Sequence, residues 1–99
     1  MPTFMCFLNW TDQGAKNAKD ANERYQAYRS MAEKLGGKLL SAYVTTGQYD
    51  VVLTLEMPNG EAMAKFASAI SGSGNARTTT VRAYTPDEFS KLVAGAPKM

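Results

Sequence analysis

The chain has 99 residues, 44% hydrophobic and 20% charged, with 11 basic against 9 acidic side chains and a net charge of +2. Such a composition belongs to one ordinary globular domain, long enough to bury somewhat over ~60% of its unfolded surface. It lacks the basic block that a nucleic-acid partner selects. Histidine is absent and cysteine occurs once, as Cys6, which excludes zinc centres, Ser-His and Cys-His nucleophiles, histidine-ligated haem and an intrachain disulfide.

Thr3 to Trp10 (TFMCFLNW) is nearly continuous in hydrophobicity and reads as a central strand covered on both faces, ended by a turn at Thr11-Asp12-Gln13-Gly14. Asp20 and Glu23 stand at capping-box spacing before a helix whose Tyr25, Tyr28, Ala32 and Leu35 form one apolar stripe. Gly36-Gly37 stops that helix. Lys38 to Thr46 and Asp50 to Met57 are two strands of a hairpin. Asn59 then caps a second helix striped by Ala62, Phe66, Ala69 and Ile70, and Ser71-Gly-Ser-Gly-Asn75 is a loop. Arg77 to Tyr84 is a β-branched fourth strand. Thr85-Pro86-Asp87-Glu88 opens a short last helix, with residues 1–95 forming a single domain and 96–99 a frayed tail.

The order βαββαβ plus a short C-terminal helix predicts an α+β, ferredoxin-like domain: a four-stranded antiparallel sheet with both main helices on one face. The hairpin turn Gly47-Gln48-Tyr49-Asp50, together with Asn9-Trp10-Thr11-Asp12-Gln13-Gly14, Lys34-Leu35-Gly36-Gly37-Lys38 and Arg77-Thr78-Thr79-Thr80, resembles the GYD domain family in blocks spread over nearly the whole chain. That resemblance implies the ferredoxin-like fold and an assembly of the dimeric α/β barrel type. It implies no reaction, since the family has no established activity.

Strand alternation assigns the two faces of the sheet. Val51, Leu53 and Leu55, with Leu40, Ala42, Val44, Val81 and Ala83, are expected under the helices. Leu39, Ser41, Tyr43, Thr45, Val52, Thr54, Glu56, Thr80, Arg82 and Tyr84 are expected on the opposite face. Strand one contributes to that face either Met5-Phe7-Asn9 or Phe4-Cys6-Leu8-Trp10, and alternation does not choose between them. A face so apolar is expected to meet a second copy of the chain, giving a homodimer or higher oligomer around a partly polar cavity.

The candidate ligand-binding residues are therefore Asn9, Trp10, Tyr43, Glu56, Arg82 and Tyr84. Arg82 and Glu56 read either as a ligand anchor with an acid or base, or as an ion pair between subunits. Tyr49 and Asp50 read either as part of a site at the barrel mouth, or as a turn in which Gly47 supplies positive φ and Asp50 accepts backbone N–H bonds. Cys6 reads as a small buried hydrophobe. The glycine-rich loop lacks the spacing of a phosphate cradle, and the third strand lacks the aromatic and basic residues that stack RNA bases.

The expected function is a cytoplasmic homo-oligomer that binds a small anionic or aromatic metabolite between sheet faces. No metal, cofactor, nucleic acid or membrane is expected to take part. Asp12, Asp50 and Glu56 have no spacing that gathers six oxygen ligands, no apolar run reaches the ~18 residues of a membrane span, and no signal peptide opens the chain. Two alternatives share the scaffold. One is a cofactor-independent monooxygenase or isomerase using Asn9, Trp10, Tyr43 and Arg82, by analogy of fold alone. The other is a structural assembly module.

Overall fold

The computed structural model describes every residue from Met1 to Met99. The central strand β1 (Thr3–Trp10) leads into a short helix α1 (Asp12–Lys16), a single 3-10 turn at Ala18–Asp20, and the first long helix, α2 (Ala21–Lys34). The hairpin β2 (Lys38–Val44) and β3 (Val51–Glu56) follows, then α3 (Gly60–Gly72), β4 (Ala76–Ala83) and α4 (Pro86–Ala94). The four strands make one antiparallel sheet in the order β2-β3-β1-β4, which is the ferredoxin-like arrangement.

The sheet has one covered face. Phe4, Cys6 and Leu8 of β1, Leu53 and Leu55 of β3, Leu39 of β2 and Ala76 of β4 are buried together with Ala32 of α2 and Ala62, Met63, Phe66 and Ile70 of α3. Helix α3 seals this core with four buried side chains, whereas α2 leans on it through half-buried Tyr25, Tyr28, Met31 and Leu35. The Tyr28 ring meets Phe66 edge-on, 6.3 Å between centroids. The molecule is 19 Å across its thinnest dimension, the depth of one helix layer on one sheet.

Strand one thus sends Phe4-Cys6-Leu8-Trp10 toward the helices and Met5-Phe7-Asn9 to the open face. β1 is central, as its continuous hydrophobicity implies, but only one of its faces is covered within the chain. The Cys6 thiol is buried, and burial pushes its pKa up against the opposing hydrogen bond from Thr80 Oγ1 at 3.8 Å.

Several expectations need correction. Leu39 lies in the core and Leu40 is exposed, because the β2–β3 register shifts between Leu39 and Ser41 and the bulge reverses the alternation there. In β4 the phase is inverted. Buried Ala76 pairs with Trp10, so Thr78, Thr80 and Arg82 follow it on the helix side, opposite Leu8, Cys6 and Phe4. Val81 and Ala83 face away from the helices, with Met5 and Thr3. Polarity misleads here because β4 is an edge strand, and its helix-side Thr78, Thr80 and Arg82 are not buried by the helices.

The turn expected at Thr11–Gly14 is the start of α1, capped by Thr11 Oγ1, which accepts from the Gly14 N–H. Asp20 makes no side-chain cap, since the 3-10 turn runs straight into α2. The second helix extends through Ser71 and Gly72 into the expected loop; Ala69 of the expected stripe is exposed and Met63 takes its place in the core. Asn59 does cap α3, its Oδ1 accepting from Ala62 N–H at 2.9 Å. Thr85 and Glu88 form the expected reciprocal capping box of α4.

Close backbone approach explains one glycine. Thr11 N–H donates to the Asn75 carbonyl at 3.1 Å and Thr11 Oγ1 donates to Gly74 O at 2.6 Å, clamping the end of β1 to the turn before β4. A Cβ on Gly14 would overlap that same Asn75 carbonyl oxygen. Gly14→Ala must push the two backbones apart and is expected to cost about 3 kcal/mol in urea unfolding, the upper part of the overpacking range. A change below ~0.5 kcal/mol contradicts the clamp.

The α4 cap has a defined pH response. The Thr85 backbone N–H donates to Glu88 Oε1 at 2.8 Å, and this bond holds the Glu88 carboxyl below its ordinary range. A depressed folded-state pKa means stabilisation that is complete above the usual glutamate range and lost as pH falls through the lowered value. Carbon chemical shifts of Pro86–Phe89 should therefore stay helical on acidification to the usual glutamate range and relax only below it. Relaxation that begins at higher pH contradicts the reciprocal cap.

Candidate functional site

The turn between β2 and β3 is tied to the central strand by one side chain. Beyond Val51 the hairpin no longer pairs with β1 through backbone alone, yet two further bonds continue the ladder. Asp50 N–H donates to Leu8 O at 2.9 Å, and Trp10 N–H donates to Asp50 Oδ2 at 2.9 Å. The carboxylate stands where a strand carbonyl would be, and an ionised acceptor makes the stronger bond. Thr45 closes the loop, its N–H donating to Asp50 O at 2.8 Å and its Oγ1 to Tyr49 O at 2.5 Å. Gly47 has φ 121°, a conformation open to glycine, and no atom lies within 4 Å of where a Cβ would stand. Tyr49 folds onto the open face against Phe7, ring centroids 4.7 Å apart.

That open face carries Met5, Phe7 and Asn9 from β1, flanked by Val52, Thr54 and Glu56 from β3, with Ser41 and Tyr43 beyond them. On the other side lie Arg77, Thr79, Val81 and Ala83 of β4, with Arg77 opposite Asn9. Its middle rows are uncharged, and Tyr43 and Val81 are 67% and 43% exposed.

The six candidate ligand residues do not converge. Asn9, Tyr43 and Glu56 are on the open face, but Asn9 and Glu56 sit at opposite ends of it. Glu56 pairs with Thr3, six residues before Asn9, a separation of roughly 20 Å at ~3.3 Å per residue. Trp10, Arg82 and Tyr84 belong to the other side. Arg82 stacks on Tyr84 and Phe4, its guanidinium carbon 4.2 and 5.8 Å from their ring centroids, and donates to Thr3 O at 3.1 Å and to Ala83 O. Arg82 and Glu56, expected to share the open face as a ligand anchor or an ion pair between subunits, lie on opposite sides of the sheet, since β4 turns Arg82 toward the helices; the one ion pair of the chain is Lys91–Asp87 on α4, at 3.6 Å.

Two clefts open on the helix side. A narrow one of ≈ 40 Å³ lies between α2 and the hairpin, bounded by Trp10, Tyr25, Ala42, Val44 and Val51. A roomier one of ≈ 300 Å³ lies between α2 and α3, bounded by Ala27, Met31, Ala69, Ile70, Ser73 and Asn75. Arg24 and Tyr28 line both. Arg24 Nη2 donates to Gly14 O at 3.2 Å and Asn17 O at 3.3 Å, while its Nη1 is buried with no acceptor. Burial raises the Tyr28 phenol pKa, and the nearby Arg24 charge opposes that rise. Sequence reasoning passes over Arg24. Its one signal is spacing, four residues before Tyr28, which puts a cation beside the apolar stripe of α2.

The two-layer α+β body and its aspartate-clamped hairpin define a small ferredoxin-like protein. The GYD domain model matches residues 4–93, and the chain belongs to the GYD domain family. No curated protein sequence matches it. Among solved structures the chain is similar to FFRP-DM1, at TM-score 0.61 and 20% identity over 85% of this chain and 100% of that one. It is similar to the Mycobacterium tuberculosis leucine response regulatory protein at TM-score 0.59 and 14% identity, over 85% of this chain and 51% of that longer one. A Thermus thermophilus protein matches at TM-score 0.54 and 22% identity, over 86% and 95% of the two chains. At these identities the likeness is one of fold.

Asp50→Ala removes the acceptor of a half-buried N–H and is expected to lower stability by about 2 kcal/mol in chemical unfolding. Amide exchange at Trp10 should accelerate at the same time. Unchanged stability with Trp10 still protected contradicts the role given to this carboxylate.

Proposed function

We propose that this chain is a homo-oligomeric, small-metabolite-binding protein that assembles sheet face to sheet face, as a dimeric α/β barrel, and holds its ligand between the sheets. One observation carries the reading: a sheet with a helix layer on one side exposes uncharged central rows on the other. Met5, Phe7 and Val52 lie there beside Tyr43, Tyr49 and Val81. At ~25 cal/mol per Å² of apolar surface, covering a few hundred Å² of this face is worth several kcal/mol. Helix α4 extends the same tendency, since none of its residues is buried and Phe89, Leu92 and Val93 are exposed.

The corrected faces also narrow the ligand. With Arg82 on the helix side, no charge stands in the middle rows of the open face; its charges lie at the ends, Lys38 opposite Glu56 at one and Arg77 opposite Asn9 at the other. The Phe7–Tyr49 pair, Tyr43 and the amide of Asn9 suit an uncharged aromatic or apolar molecule with a hydrogen-bonding group. A protein of similar fold is named a leucine response regulatory protein, a name in keeping with a small-metabolite reading. A structural assembly module would share the interface and lack the ligand.

Phe7→Lys tests the assembly. Light scattering should give at least a dimer at micromolar concentration for the parent chain, and the variant should fall toward monomer while keeping its circular dichroism. A monomeric parent, or a variant that assembles unchanged, overturns the sheet-to-sheet reading.

A further inference from the structure

We infer that the cleft between α2 and α3 is a second binding site, one for a small carboxylate with an apolar body, read by Arg24 and Tyr28. It lies in the helix layer, on the opposite side of the sheet from the open face, and does not depend on the assembly proposed above.

Arg24 is the centre of the site. A guanidinium offers five donors and accepts nothing, and a buried donor without a partner costs the full loss of its hydration. Two backbone carbonyls engage Nη2, while Nη1 is buried without an acceptor. The folded chain therefore leaves an unmet demand for an acceptor, and the cleft contains no acidic side chain to meet it; because Nη1 is enclosed, a ligand carboxylate engages it by turning the guanidinium toward the cleft that Arg24 lines. A carboxylate matches a guanidinium in shape and charge better than any neutral acceptor.

The rest of the cleft sets the class of ligand. Tyr28 borders the same space with its hydroxyl unbonded to protein, and its raised pKa keeps it an O–H donor at neutral pH. The amide of Asn75 lines the same cleft, its oxygen engaged by Gln13 Nε2 at 3.0 Å, which leaves its NH₂ available. Opposite these donors the lining is Ala27, Met31, Ala69 and Ile70. A volume of ≈ 300 Å³ is at the lower end of small-molecule pockets. It suits a monocarboxylate carrying a short aliphatic chain or a single ring. A phosphate would find the charge and waste the apolar wall.

The test uses the full chain, with benzoate and hexanoate as probes and benzamide and inorganic phosphate as controls at constant ionic strength. Amide chemical shifts are followed with each addition. Benzoate or hexanoate should move amides along α2 and α3, around Tyr28, Ile70 and Asn75, in a saturable way. Arg24→Met should weaken binding at least tenfold, and Tyr28→Phe several-fold with the fold retained. Should Arg24→Met fail to fold, the Tyr28→Phe arm decides alone. The inference is overturned if neither carboxylate binds, if benzamide or phosphate binds as tightly as benzoate, or if Tyr28→Phe leaves affinity unchanged. It is also overturned if the moving amides belong to β1 and β3, an outcome that would instead favour the ligand between the sheets.

Discussion

Strand β1 is held between two antiparallel ladders, β3 on one side and β4 on the other, and its alternation decides where every other strand residue points. A side chain of β1 and the residues paired with it share a face, so placing Phe4, Cys6 and Leu8 under the helices commits Leu53, Leu55, Thr80 and Arg82 to that side as well. A slip of one residue in either ladder would turn the whole strand over. The chain guards against such a slip at the Trp10 end. The Asp50 carboxylate takes the Trp10 N–H on the β3 side, and Thr11 and Gly14 close against Gly74 and Asn75 on the β4 side.

The sequence blocks shared with the GYD family acquire physical roles in this light. Asn9 to Gly14 is the end of β1 together with the cap and close approach that join it to the turn before β4. Gly47 to Asp50 is a loop that bends at a glycine, covers Phe7 with a tyrosine and latches onto β1 with an aspartate. These are ways of holding one register. They leave the open face and the α2–α3 cleft as the two places where surface chemistry is unspent. One is apolar and aromatic in its middle rows with charges only at its ends, and the other offers donors around a half-buried guanidinium.

Much of the fold is legible in the sequence because it rests on local signals. The β1 limits, the Asn59 and Thr85 caps and the order of elements follow from hydrophobic runs and short-range hydrogen bonding. The face assignments are less legible because they rest on pairing. A bulge at Leu39–Leu40 leaves no local mark in two adjacent leucines. In β4, Val81 and Ala83 attract an inward assignment, and only the burial of Ala76 beside α3 reveals the true phase. That inversion moves Arg82 to the helix side and disperses the candidate cluster. Arg24 escapes notice for a similar reason, since an arginine in a polar helix reads as a solvated charge until tertiary contacts enclose part of its guanidinium.

The proposed assembly closes the open sheet face with a second copy of the chain. An isotope-filtered nuclear Overhauser experiment on a mixture of labelled and unlabelled protein tests it most directly, because only contacts between copies survive the filter. A sheet-to-sheet assembly gives intermolecular signals from the Met5, Val52 and Val81 methyl groups to the rings of Phe7, Tyr43 and Tyr49. Signals between copies that arise only from the exposed faces of α2 and α3, with the sheet methyl groups silent, would contradict it.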